Sequence, residues 1–372
     1  MNSSPPQIGN GVRWQSLDVL RGIAVILVLF RHLHIPPAME RTHSGLYVFL
    51  KTLNRGGWVG VDLFFVLSGF LVSGILFRQY QRDGRVRPGR FLIRRAFKIY
   101  PAFWFLIAVT LTWVWTTEHT LPWKNALIEL AFVQNYFSGL FPHTWSLAVE
   151  EHCYLGLCLL VSLLVAYGRG SANPFRSLPY LVVILAISVL ALRVCTMPPL
   201  NPQNIVLATG PTHLRCDAFL IGSLVAYAFY FSQGRFLEFC RRFAGLWLVL
   251  GVGCLIPVFF LDILQNPVVA RWLFTSNAIG GALLLMGVLG CQGRPSPLAG
   301  IVATIGEHSY SIYLWHVLVN LWLSQAVGKY KIRVDMLTWP LLAIMLSIMA
   351  GMAASYLIER PALKLRDRWF PG

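Results

Sequence analysis

Residues 17–37 read LDVLRGIAVILVLFRHLHIPP. The run from Ile23 to Phe30 is wholly apolar, yet Asp18 and Arg21 precede it and Arg31, His32 and His34 follow it. A segment serving only to sit in lipid would avoid such groups, because ionisable side chains within a span are costly and usually face a cavity or a pathway. Arg21 and His32 are eleven positions apart. At 100° and 1.5 Å per residue, that spacing returns them to within about 20° of the same helix face, about 16 Å apart along the axis. The segment therefore predicts a membrane helix with one polar stripe. Pro36 and Pro37 predict its end, since the residue before a proline is pushed out of the helical region.

The same alternation of oil and isolated polar groups continues through the chain. Of its 372 residues 56% are hydrophobic and 12% charged, against about a quarter charged in soluble domains. Runs of the ~20 apolar residues needed to cross a bilayer predict an all-α membrane protein of about ten transmembrane helices in one bundle. They fall at 17–35, 58–77, 98–116, 146–167, 178–196, 214–232, 244–263, 271–291, 298–324 and 337–358. The runs lack the two-residue alternation of barrel strands, and only helices or closed barrels satisfy every backbone group in lipid. A single domain over 1–372 is expected, with no fused soluble domain. The N-terminal MNSSPPQIGNGVRWQS has no apolar core or cleavage site, so no removable signal peptide is expected.

The segment 78–98, RQYQRDGRVRPGRFLIRRAFK, holds eight of the 31 Lys and Arg residues. Basic residues concentrate in cytoplasmic loops, which places this segment inside and, counting spans from it, both termini inside as well. The expected location is the cell (inner) membrane, multi-pass. The formal charge of +16 is accounted for by this bias and by attraction to anionic membrane lipids. Nucleic-acid binding would need a folded, water-facing basic surface and is excluded. The seven cysteines are scattered without C-x-x-C spacing and read as small packing groups. His32, His34 and His43 do not have a recognised zinc spacing, so no metal is expected.

Other polar groups map to the outer half of the spans. Asp62, in GVDLFFVLSGFL, falls at the depth of His32 and could hold its imidazole; a carboxylate at a helix N-terminus is the plainer reading. In HTWSLAVEEHCYL, Ser146, Glu150 and Tyr154 recur every four residues on one face, with Glu151 beside them. Arg215 and Asp217 open the sixth span, and His316 lies in the ninth. Tyr310, Tyr313 and Trp315 read as an interfacial aromatic belt. Gly69 with Ser73, and Gly56 with Gly60, are small residues four apart that suit close helix packing. Arg94, Arg95 and Lys98 lie at the inner edge, where they suit a phosphate-rich ligand.

Taken in order, LDVLRGIAVILVLFRH, GVDLFFVLSGFL, RRAFKIYP, WSLAVEEHCYL, RCDAFLIG, SYSIYLWH and ERPALK resemble the acyltransferase-3 family. Its members are membrane enzymes that transfer acyl groups, often acetyl, from acyl-coenzyme A to sugars or other hydroxyl acceptors. The resemblance implies that Arg21 and His32 are the family's paired essential residues. It also implies that Arg95 opens an Arg-x-x-Arg motif, in which Lys98 keeps the charge but lacks the bidentate fork. Some members carry an additional esterase-like soluble domain, which is not expected here.

The resulting expectation is an acyl-CoA-dependent O-acyltransferase, acetyl-CoA being the first choice of donor, acting on a cell-surface or exported carbohydrate. Coenzyme A would be gripped by Arg94, Arg95 and Lys98, with its arm along the Arg21–His32 stripe. His32 would act as general base or transient acyl carrier, with Asp62, Glu150 or Glu151 orienting or balancing it. Arg215, Asp217, His316, Ser68 and Ser146 would support the site, and Ser68 or Ser146 could carry the acyl group. A transporter or flippase would also place charges in spans, but it predicts inverted repeats that the chain does not display. A non-catalytic scaffold leaves the outer acids and histidines unexplained.

Overall fold

A computed structural model of the chain describes residues 15–35, 44–168, 170–171, 173–291, 296–330 and 338–371. Every regular element among them is helical. In chain order they are α1 (Gln15–Arg31), α2 (Gly45–Gly56), α3 (Val59–Asp83), α4 (Pro88–Glu118), α5 (Trp123–Leu130) and α6 (Trp145–Tyr167). There follow α7 (Leu178–Thr196), α8 (Ile205–Thr209), α9 (Asp217–Phe231), α10 (Gln233–Arg242), α11 (Ala244–Leu255) and α12 (Pro257–Phe260). The last five are α13 (Pro267–Gly290), α14 (Pro297–Glu307), α15 (Ser309–Tyr330), α16 (Thr338–Ala354) and α17 (Arg360–Trp369).

Helix α3 is the axle of the bundle: it packs against α9, α1, α13 and α6, and its residues from Val59 to Phe77 are mostly buried. Two crossings depend on glycine. A methyl group on Gly69 would strike the carbonyl of Phe219, and one on Gly222 would strike that of Val66, so α3 and α9 meet backbone to backbone. Gly22 and Gly306 do the same for α1 and α14, against Val302 and Asp18. Small residues permit this approach where lipid offers no hydrophobic drive for helices to associate.

Six helices among the described residues are long and apolar enough to cross a membrane, or seven if α10 with α11 and α12, bent by 76°, forms one span. The chain is thus a multi-pass membrane protein, but the ten uniform spans expected from hydropathy are not what the helices show. Helices α1, α9 and α14 are 17, 15 and 11 residues long. About half of α1 and of α9 is buried against other helices, whereas α14 buries only Ala303 and Gly306. Helix α1 stops at Arg31, short of the expected end at residue 35, and Pro36 and Pro37 lie outside the described residues. The expected ninth span, 298–324, is broken at His308 between α14 and α15. The polar run Glu307–His308–Ser309 interrupts the apolar surface there, and His308 Nδ1 lies 2.9 Å from Ser355 Oγ.

Ser355–Glu359 forms a π-turn between α16 and α17. Pro361, two residues past it, has no N–H for the carbonyl four residues back and would crowd it, and a widened turn relieves that conflict. Such bulges often lie at functional sites. This one turns Glu359 inward, 96% buried.

Candidate functional site

A cavity of about 110 Å³ lies inside the bundle between α1, α3, α4, α6 and the α14–α15 junction. Its side nearest the 78–98 basic run carries Arg21, Arg95, Lys98 and Glu307. Ser68, Glu150 and Tyr154 line its middle, and Val61, Ser146 and Tyr313 line the opposite end.

The basic end is asymmetric. Lys98 pairs with Glu359 (3.4 Å), whose other oxygen accepts the hydroxyls of Ser311 (2.7 Å) and Ser355 (3.2 Å). Arg95 lies 5.3 Å over the Tyr154 ring and 5.8 Å over that of Phe91. Arg21 reaches Asp18 one turn back (3.4 Å). Arg94 corrects an expectation: it does not line the cavity but turns to α17, pairing with Asp367 (3.0 Å) and donating to the Phe370 carbonyl. One residue further along a helix is rotated by about 100°, and here Arg94 and Arg95 turn to different surroundings.

In the middle, the Tyr154 hydroxyl donates to Glu150 (2.7 Å). Ser68 Oγ is 2.8 Å from the same hydroxyl and, since the phenol has one proton, is the donor to it. The helical face expected from Ser146, Glu150 and Tyr154 is the face that lines the cavity. Glu151 points elsewhere and accepts the Tyr100 hydroxyl (3.0 Å). Tyr310 and Tyr313, expected in an interfacial belt, instead line the cavity and are hydrogen-bonded inside it, to the Ile99 and His143 carbonyls (2.7 and 2.6 Å). Ser146 Oγ lies 2.6 Å from Tyr313 Oη.

Three histidines gather behind Tyr313 at this opposite end, though none of them lines the cavity itself. His316 Nε2 is 3.0 Å from His32 Nδ1, and the His143 ring centroid lies 5.0 Å from that of His316 and 6.2 Å from that of His32. Of the other histidines considered for zinc, His34 is exposed and His43 lies outside the described residues. The turn carrying His32 is pinned by Asn54, whose amide reaches the carbonyls of Phe30, Arg31 and Leu33 (3.0, 2.9 and 3.0 Å). Asn320 adds a bond to the His32 carbonyl (3.4 Å).

His143 escaped sequence reasoning because it lies in a loop, where no span pattern singles it out. That loop is braced by buried Glu129, whose Oε1 accepts from Thr144 (2.8 Å), Leu140 N–H (2.9 Å) and Phe141 N–H (3.2 Å). Burial pushes the Glu129 carboxyl up to about 7, and these donors hold it back from rising further. Glu359, too, was only part of a motif, since nothing in ERPALK says that a π-turn aims it inward.

A second polar cluster is separate from the cavity. Asp62 does not hold His32: its two oxygens go to Arg215 (2.5 Å) and Asn277 (3.0 Å). Asp217 likewise accepts from Arg193 (2.6 Å) and Thr275 (3.0 Å). The Arg215 guanidinium also lies 4.0 Å over the Phe274 ring. All four charged groups are at least 98% buried, and none of them lines the cavity. Asp62 and His32 both map by sequence to the outer half of the spans, but equal depth on two helices does not make two side chains meet.

Fold and site together define a multi-pass membrane protein with a cavity in the helix bundle that carries basic side chains at one end and, at the other, Ser146 and Tyr313 with three histidines behind them. The family model described as an acyltransferase domain, of the acyltransferase-3 type, matches residues 14–360, and the chain belongs to that family. It is 26% identical over 323 residues to the peptidoglycan O-acetyltransferase OatA of Listeria monocytogenes, covering 81% of this chain and 48% of that protein. It is 25% identical over 362 residues to the O-acetyltransferase OatA of Staphylococcus aureus, covering 89% of this chain and 55% of that protein. The chain thus spans about half the length of these curated relatives. No solved structure matches it.

Proposed function

We propose that the chain is an integral membrane O-acyltransferase of the inner membrane, moving an acyl group from cytoplasmic acyl-CoA to a hydroxyl of a cell-surface or exported glycan. Acetyl is the first candidate for the acyl group and a peptidoglycan sugar for the acceptor, because both relatives are named O-acetyltransferases and one is named for peptidoglycan. The observation that carries this reading is a single cavity with Arg21, Arg95 and Lys98 at one end and Ser146 and Tyr313, beside His32, His143 and His316, at the other.

Arg95 and Lys98, with Arg21, would meet coenzyme A phosphates through charge-assisted hydrogen bonds. The thioester arm would pass Ser68, Glu150 and Tyr154 toward His32. There the acceptor oxygen attacks the thioester carbonyl carbon as its proton passes to His32, and the carbon–sulfur bond breaks. The His32 proton then goes to the departing thiolate, which returns the imidazole to its neutral form. Asp62, Arg215 and Asp217 would contribute by fixing the α3–α9 crossing against which the cavity wall is built.

The test is His32→Ala, assayed for transfer of labelled acetyl from acetyl-CoA to glycan in membranes holding equal amounts of protein. General-base catalysis is worth about 10²–10⁴-fold, and a loss within or beyond that range is expected. Wild-type turnover by the variant would remove His32 from the reaction.

A further inference from the structure

We infer that His316 is a positioning residue for His32, fixing which imidazole nitrogen is left to act as the base; this rests on the acyltransferase reading above. His316 Nδ1 lies 2.6 Å from the carbonyl oxygen of Tyr313. A carbonyl only accepts, so that nitrogen bears the hydrogen, and a neutral imidazole has only one. The Nε2 of His316 is therefore a lone pair. The atom 3.0 Å from it is His32 Nδ1, which must be the donor. The Val28 carbonyl, 3.2 Å from the same nitrogen, requires the same assignment, because it too can only accept.

The hydrogen of His32 is thus held on Nδ1 and shared between an imidazole and a carbonyl, and the lone pair is on Nε2. His32 Nε2 is the base nitrogen. When it takes the acceptor's proton, the imidazolium keeps its Nδ1–H bond to a neutral partner that is 100% buried. An aspartate commonly orients and supports a catalytic histidine in this way. Here a second histidine, itself anchored to the backbone, has that part. The carboxylate expected for it, Asp62, is bound to Arg215 and Asn277.

The backbone of the His32 turn is held independently, by Asn54 and Asn320. Loss of the His316 acceptor leaves the Nδ1–H only the Val28 carbonyl on its own helix, 3.2 Å away, which loosens the ring without moving the turn, and the effect belongs in kcat rather than in KM for acetyl-CoA. The experiment compares His316→Leu and His316→Gln at equal membrane levels. Leucine fills the space without an acceptor, whereas glutamine can place its amide oxygen near the former Nε2. We expect His316→Leu to lower kcat by about 100-fold with KM within twofold, and His316→Gln to recover kcat to within about tenfold of wild type.

If packing were the role of His316, the order would reverse, because leucine suits an apolar interior better than glutamine; leucine equal to or better than glutamine overturns the inference. Should the leucine variant fail to accumulate, His316→Gln decides alone, and a kcat below one hundredth of wild type overturns it. Inactive His32→Ala together with a fully active His316→Leu would refute this inference and leave the proposed function standing. An active His32→Ala would refute the function itself.

Discussion

Two sets of charged groups share the interior of this bundle, and they differ in what faces them. Around α9, Arg193, Arg215, Asp62 and Asp217 are shut into mutual pairs supported by Asn277 and Thr275. Around the cavity, Arg95, Glu150 and Ser68 turn toward open space, and Lys98 does so while leaning on Glu359. The first set has its opposite charges paired, with the remaining Arg215 nitrogens against the Phe274 ring, and none of it lines the cavity. The second has free edges on a cavity that could hold a ligand. Ionisable residues in spans are therefore of two kinds, and the presence of space next to them separates the kinds better than their chemistry does.

The comparison is most strongly tested at Asp62. Its replacement by alanine leaves Arg215 buried beside a missing partner, a loss of about 3–5 kcal/mol for a pair of this kind. We expect Asp62→Ala to accumulate poorly in membranes. The double variant Asp62→Leu with Arg215→Met, which removes both charges, should recover accumulation and transfer acyl groups within about tenfold of wild type. A double variant that accumulates but is inert would move Asp62 out of the structural set and into the chemistry.

A smaller contrast lies between two neighbouring arginines. Arg95→Ala should raise KM for acetyl-CoA about tenfold, equivalent to about 1.4 kcal/mol, whereas Arg94→Ala should change it less than twofold, since Arg94 is committed to α17. Steady-state kinetics on the two variants checks this. Equal effects would mean that the donor's phosphates meet the α4–α17 surface as well as the cavity.

The helical character and the membrane setting were legible because they depend on local composition. So was the face shared by Ser146, Glu150 and Tyr154, because helical periodicity is a local rule. Three things were not. The division into spans was one, since six or seven membrane-length helices stand among the described residues and hydropathy does not register that α14 ends at His308, where polar side chains find partners on the π-turn. The partner of Asp62 depended on how α3 and α9 cross at Gly69 and Gly222, which no single-segment pattern encodes. His143 was invisible because it lies in a loop. Conversely, His316 was singled out from its place in a span, and its meeting with His32, 284 residues away, is a property of the tertiary fold alone.

In the proposed reaction donor and acceptor meet from opposite faces of the membrane. This is tested most directly with the purified protein reconstituted in vesicles of one orientation, with labelled acetyl-CoA supplied only on the face that carries residues 78–98 and glycan acceptor enclosed on the other. The account predicts labelled glycan inside the vesicles, and none with His32→Ala. Labelling confined to glycan placed on the same side as the donor would contradict it.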